Sequence, residues 1–231
     1  MAITEAASPP TANEVAAGAW MHNPVTGELA RMNVGPADTG GRRIEADLWL
    51  SPGAALAGAH VHDHFIERFE LLAGNVGFQI DGVQRTMQPG DGTIEVAAGT
   101  VHDWWNAGDD IAHVRVEVEA LADAPGRPAA RFVSMIEALW SLGALGRVRA
   151  TGMPGPLWLA AAAREYRDVI RFVQPPAVVQ AILFGPLAAF ARWTGRDPLA
   201  PELHGPAAAA AIAEPDDLDA FLSRVGEGER A

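Results

Sequence analysis

Between Arg43 and Glu119, apolar and polar residues alternate in short runs broken by turn sequences, and no other feature of the chain constrains its fold as much. In the first run Ile44, Ala46, Leu48 and Leu50 fall on one side and Arg43, Glu45, Asp47 and Trp49 on the other. That period of two marks a half-buried strand. Further strands are expected from Arg68 to Leu72, Val76 to Ile80, Val83 to Met87, Thr93 to Val96 and Ile111 to Glu119, the last with Val114, Val116 and Val118 alternating. Asp81-Gly82 is a hairpin signal, and Gln88-Pro89-Gly90-Asp91-Gly92 punctuates the next step. Many short strands with regular turns predict a mainly β, antiparallel barrel or sandwich.

The 231 residues suffice for one core and one appendage. Residues 1–40, rich in Ala, Pro, Gly, Thr and Asn, suit an arm that lies over the surface or is partly disordered, residues 41–122 the barrel, and residues 123–231 a helical carboxyl-terminal extension. After Pro125 and Pro128 the period becomes helical. Arg131 to Leu145 gathers Phe132, Met135, Ile136, Leu139, Trp140 and Leu142 on one broad face. Pro156 can begin a second helix to about Phe172, and Pro176 a third to about Trp193 with a kink or break at Pro186. A short helix is expected from Asp216 to Val225 after a loop.

Asp and Glu number 29 against 17 basic residues, all Arg, and the formal charge of -12 repels phosphate backbones and anionic lipids. No nucleic-acid partner is expected. Without cysteine there is no disulfide, thiolate metal site or thiol nucleophile, so any metal must take nitrogen and oxygen ligands. The first twenty residues lack a secretory-signal pattern, and the longest apolar run, Ala177 to Trp193, is too short for a transmembrane helix. The expectation is a cytoplasmic protein.

Three of the seven histidines lie within five residues, in Gly58-Ala59-His60-Val61-His62-Asp63-His64-Phe65-Ile66-Glu67. Strand residues i and i+2 face the same way, so His60 and His62 can present both imidazoles to one ion inside a barrel. A rolled sheet could bring His102 opposite them. Imidazole with carboxylate suits iron, manganese, cobalt, nickel, copper or zinc.

In these residues the chain resembles the cupin superfamily. The first cupin motif is Gly, five residues, His-x-His, three or four residues, Glu, six residues and Gly, and His60, His62, Glu67 and Gly74 match it. Gly53 stands one residue early and Ala54 takes the expected place of the leading Gly. Gly99, His102 and Asn106 match the second motif, with Ala97 in place of a Pro and Asp91, between Gly90 and Gly92, in place of its leading Gly. The departures concern turns. A register shifted to His62 and His64 would leave Glu67 too close and Glu70 too far. The resemblance implies a cupin-type double-stranded jelly-roll barrel in which His60, His62, Glu67 and His102 hold one divalent metal ion, most plausibly iron, with one or two positions left for water or substrate.

The remaining candidates each have an ordinary structural reading beside the functional one. His64 is either a loop residue or an acid/base beside the metal. Of Trp104 and Trp105, alternation sends one inward, to the core or a substrate-pocket wall, and one outward. Arg115, on one strand face with His113 and Glu117, would anchor a substrate carboxylate if that face points inward; the valines between them favour outward. The extension can pack on the barrel, cover its mouth or form a homodimer interface. The leading expectation is a mononuclear metal enzyme acting on a small organic molecule, a dioxygenase. Alternatives are a metal-containing ligand-binding or sensory protein without turnover and a metal-dependent isomerase or lyase.

Overall fold

The computed structural model describes residues 15–26, 28–55, 58–149, 152–204, 218 and 220. Its strands are β1 (Trp20–His22), β2 (Leu29–Val34), β3 (Arg43–Leu50), β4 (His60–Val61), β5 (Phe65–Ala73), β6 (Val76–Ile80), β7 (Val83–Met87), β8 (Thr93–Val96), β9 (His102–Asn106), β10 (Ala112–Ala120) and β11 (Arg171–Phe172). They form two antiparallel sheets, one ordered β1-β2-β3-β10-β5-β8 and the other β11-β4-β9-β6-β7. The inner faces pack on each other. Phe69 of β5 meets Phe78 of β6 and Trp104 of β9 at ring-centroid distances of 5.2 and 5.0 Å.

The alternation seen in the sequence sets which face each strand buries. Ile44, Ala46 and Leu50 of β3 and Val114, Val116 and Val118 of β10 point into the core. Their neighbours point outward into an ion-pair lattice in which Glu117 joins Arg43 to Arg68. Trp49 is an outward residue that is nonetheless buried, because Trp20 and His113 stack on its two sides at 5.7 and 4.5 Å. Asp81 and Gly82 both have positive φ, 48° and 81°, the backbone of a two-residue hairpin between β6 and β7.

Helices α1 (Pro128–Ala144), α2 (Pro156–Glu165) and α3 (Ala177–Trp193) follow. Two expectations are corrected, and a third in part. Residues 20–34 form β1 and β2 and extend the larger sheet, where a surface arm was expected. Helix α2 stops at Glu165 rather than near Phe172, and the chain beyond it becomes β11, which pairs with β4. Buried Tyr166, whose hydroxyl donates to the Pro198 carbonyl at 3.4 Å, pins that exit from the helix. Helix α3 runs through Pro186 unbroken. The short helix expected over 216–225 lies outside the described residues except Leu218 and Ala220, and Leu218 packs against the Leu29 and Trp49 cluster. Barrel and extension share one core, which runs from Phe65 and Phe69 through Val133, Trp140 and Trp158 to Tyr166 and Leu203. Among the described residues no helix is long and apolar enough to cross a membrane.

Candidate metal centre

His60, His62, Glu67 and His102 are all buried, and one ligand atom from each lies within 4.8 Å of the others. Strand geometry brings them together. His60 opens β4 and pairs in register with His102 at the start of β9, while Glu67 faces inward from the first half of β5. The ring centroids of His60 and His102 are 4.2 Å apart and those of His60 and His62 4.7 Å apart. The turn glycine of the second motif supports the first motif directly, since the Gly99 amide donates to the His62 carbonyl at 2.8 Å. Asn106 ties the far end of β9 to β3, its Nδ2 donating to the Leu50 carbonyl at 2.8 Å.

Each imidazole is oriented through Nδ1. That atom lies 2.6 Å from the Gly58 carbonyl in His60, 2.6 Å from the Val169 carbonyl in His62 and 3.1 Å from the Thr100 carbonyl in His102. A carbonyl oxygen only accepts, so all three Nδ1 atoms carry the hydrogen and each neutral ring offers its Nε2 lone pair to the cluster. Fixing the ring through its other nitrogen is how proteins hold metal-binding histidines.

Burial, reinforced by the neighbouring His62 and His102, pushes the His60 imidazole down to about 4, and burial likewise lowers His62. Burial alone would raise Glu67, but the surrounding imidazoles outweigh it and hold the carboxyl below its usual range. Burial works to lower His102, but its 2.8 Å contact with Glu67 outweighs this and raises it. Between His102 Nε2 and the Glu67 carboxylate a proton or a cation must sit, because two lone pairs do not attract. His62 Nε2 is 3.4 Å from the same carboxylate, buried, and has no hydrogen-bond partner. Burying such an atom unpaired is costly, and a divalent cation bound by three imidazoles and one carboxylate removes the cost. The four residues fit a metal ion.

The cupin-domain family model matches residues 49–119. This barrel is a cupin domain. Structural neighbours of the chain include the cupin domain of an XRE-family transcriptional regulator from Enterobacter cloacae, 22% identical over 40% of this chain and 95% of that one with a TM-score of 0.34. Another is a sugar phosphate isomerase from Silicibacter pomeroyi, 24% identical over 41% of this chain and 60% of that one with a TM-score of 0.35. A third is named as a predicted oxalate decarboxylase from Thermotoga maritima, 20% identical over 48% and 98% with a TM-score of 0.37. Likeness at this level carries nothing about activity. Comparison with the curated proteins finds no relative of this chain.

The other sequence candidates lie apart from the four. His64 sits half-buried in the turn between β4 and β5, outside the cluster. Trp104 points inward and packs on Phe69 and Phe78 in the cupin core, while Trp105 lies on the outer side of β9, its ring laid against Gly77. Arg115 also faces outward and ion-pairs with Asp47 at 3.0 Å and Glu70 at 3.5 Å, so it does not line the interior.

Sequence reasoning missed what the extension brings to the centre. Val169 orients His62, and Phe132 of α1 meets the His62 and Phe65 rings at 6.1 and 5.7 Å. Beyond Val169, β11 pairs Phe172 with His60 and Arg171 with Val61, and the Val173 amide donates to the Ala59 carbonyl. Arg171 Nε and Nη2 donate to the two Asp63 carboxylate oxygens at 2.7 and 2.8 Å, and Gln180 Nε2 donates to the Phe172 and Pro175 carbonyls at 2.7 and 2.6 Å. Residues 169–175 thus form a strap across β4, which carries His60 and leads directly into His62. An open cavity of about 580 Å³ lies elsewhere, between Arg147, Trp158, Arg196 and Glu202, and none of the four lines it.

Proposed function

We propose that this cupin is a mononuclear metal-dependent enzyme that acts on a small organic molecule, with iron at His60, His62, Glu67 and His102 and dioxygenation as its reaction. The supporting observation is the shared Nδ1 anchoring, which turns three Nε2 atoms and one carboxylate toward a single buried point. When bound, a redox-capable ion with open positions supplies the means of bringing substrate and dioxygen together. The chain's own residues do the rest. The carbonyls of Gly58, Thr100 and Val169 keep the imidazoles in one tautomer, and Glu67 contributes the negative charge that offsets the cation. Phe65 and Phe132 screen the His62 side from water. A low local dielectric strengthens each of these electrostatic contacts. In this reading the protein works in the cytoplasm, on a small molecule, as a homodimer.

The experiment is elemental analysis of protein prepared without an affinity tag, followed by oxygen-uptake screens against small organic acids, phenols and sugars. About one equivalent of iron, lost in His102→Ala, with substrate-dependent oxygen uptake is the expected result. Stoichiometric zinc, manganese or nickel with oxygen-independent turnover would replace dioxygenation by isomerisation or elimination. Ligand binding without product would make the protein a sensor.

A further inference from the structure

Helix α3 is apolar on both sides. Its inner side buries Ala188 and Ala191 against α2, while Val178, Val179, Ile182, Leu183, Phe190 and Trp193 on the other side are exposed, at 71, 38, 67, 47, 49 and 80%. At 100° per residue those six fall within about 140° of the circumference, one continuous stripe opposite the buried side. A helix that is apolar all round belongs in a core, a membrane or an interface.

We propose that this stripe docks on the same stripe of a second copy of the chain, α3 against α3 across a two-fold axis. The area fits. The six side chains leave roughly 600–700 Å² of mostly apolar surface in solvent, above the ~300–600 Å² of the largest patch on a typical monomer and close to the ~800 Å² that each partner contributes to a standard interface.

Charge fits as well. A protein of net charge -12 repels its own copies except through a neutral face, and the stripe carries no ionised group. The flanking Arg192 and Arg196 are turned to Glu165 and Thr194 at 2.6 and 2.7 Å. Among the described residues beyond α3, Leu218 packs elsewhere, against Leu29 and Trp49. Self-complementarity is the condition a two-fold contact imposes, and a stripe with aromatic residues at one end and aliphatic residues at the other meets it when the helices run antiparallel.

The test is light scattering coupled to size exclusion on the full chain at about 50 µM, comparing the native sequence with Ile182→Glu/Trp193→Ser and with Val83→Glu, an exposed apolar position on the β6–β7 hairpin. The native chain and Val83→Glu are expected at twice 24.3 kDa, with Ile182→Glu/Trp193→Ser at 24.3 kDa and an unchanged circular dichroism spectrum. The dimer dissociation constant of that variant should rise by about 30-fold or more, the effect of losing one interface hot spot. A native monomer overturns the proposal, as does a dimer that survives in the double variant. A native chain that is monomeric in solution and sediments with phosphatidylcholine vesicles also overturns it and assigns the stripe to a lipid surface.

Discussion

Removing both side-chain anchors of the strap, Arg171→Ala with Gln180→Ala, should loosen the metal centre without touching any of the four clustered residues. Arg171 and Asp63 are 55 and 39% exposed, so solvent screening limits their bidentate pair to about 0.5–1 kcal/mol. The two bonds from Gln180 add about 1–2 kcal/mol. Together about 2 kcal/mol of strap closure is lost, a shift of roughly 30-fold in the closing equilibrium. The strap then rests on the two-residue β11 pairing and the Val173 bond to Ala59. Each time it opens, His62 loses the Val169 carbonyl that holds its ring. Loss of an outer partner of a metal ligand costs ~10–100-fold in affinity, and partial opening places the expected rise in metal dissociation constant at about 10-fold. Competition against a chromophoric chelator measures that constant, and hydrogen exchange at the Val173 amide reports the strap. Faster exchange with an unchanged metal constant would refute the link between strap and centre; unchanged exchange would refute the anchoring itself.

Glu67→Gln removes the one carboxylate of the cluster, so metal affinity should fall by at least ~10-fold, and in the metal-free protein His102, without the contact that raises it most, should titrate below its present value by proton NMR. An unmoved His102 titration would sink the assigned cause. Burial alone would raise the Asp47 carboxyl, but His113, Asn33 and Arg115 together hold it well below the usual range, the last two at 3.0 Å hydrogen-bond distance. A depressed carboxyl contributes stability that is present above its unfolded value, near 3.9, and lost as pH falls through the folded value. Asp47→Asn should therefore cost about 1 kcal/mol at pH 7 and flatten the acid side of the stability profile, and urea midpoints that fall in parallel for both proteins would contradict this. Gly77→Ala would place a Cβ 2.4 Å from Trp105 Cε2, and displacing that ring should destabilise the fold by about 1–3 kcal/mol; an unchanged Tm would show that the ring moves freely.

Strands such as β3, β5 and β10 were legible because one face of each meets the core and the other meets water, which writes period two into the sequence, whereas β4 and β9 were not among the strands expected. Where that contrast fails, so does the reading. β1 and β2 are short and interrupted by Asn23, Asn33 and Gly35, and Trp49 is buried on the outer face by Trp20 and His113, a contact no periodicity announces. Residues 166–172 continue the apolar content of α2, but Tyr166 buries its ring and ends the helix, and the next residues pair with β4. The four clustered residues were visible as side chains with a distinctive spacing. Val169 acts through its carbonyl, which every residue has, so nothing in the sequence could mark it.

That difference bears on how the centre is assembled. Two of the three histidines take their orientation from the residue two places before them, His60 from Gly58 and His102 from Thr100, so the turns that enter β4 and β9 set those rings locally. His62 stands just past the end of β4 and takes its orientation from a residue 107 positions later. Its Nε2 is also the one clustered imidazole nitrogen that is buried without a hydrogen-bond partner. The ring whose position depends most on the extension is thus the ring that gains most from a cation. Strap closure and metal binding must then stabilise each other, because each favours the same placement of His62, and any coupling between two such equilibria is reciprocal. The extension belongs to the candidate metal centre in this energetic sense: it closes on the barrel through Val169, and an ion bound at the four side chains would in turn hold it closed.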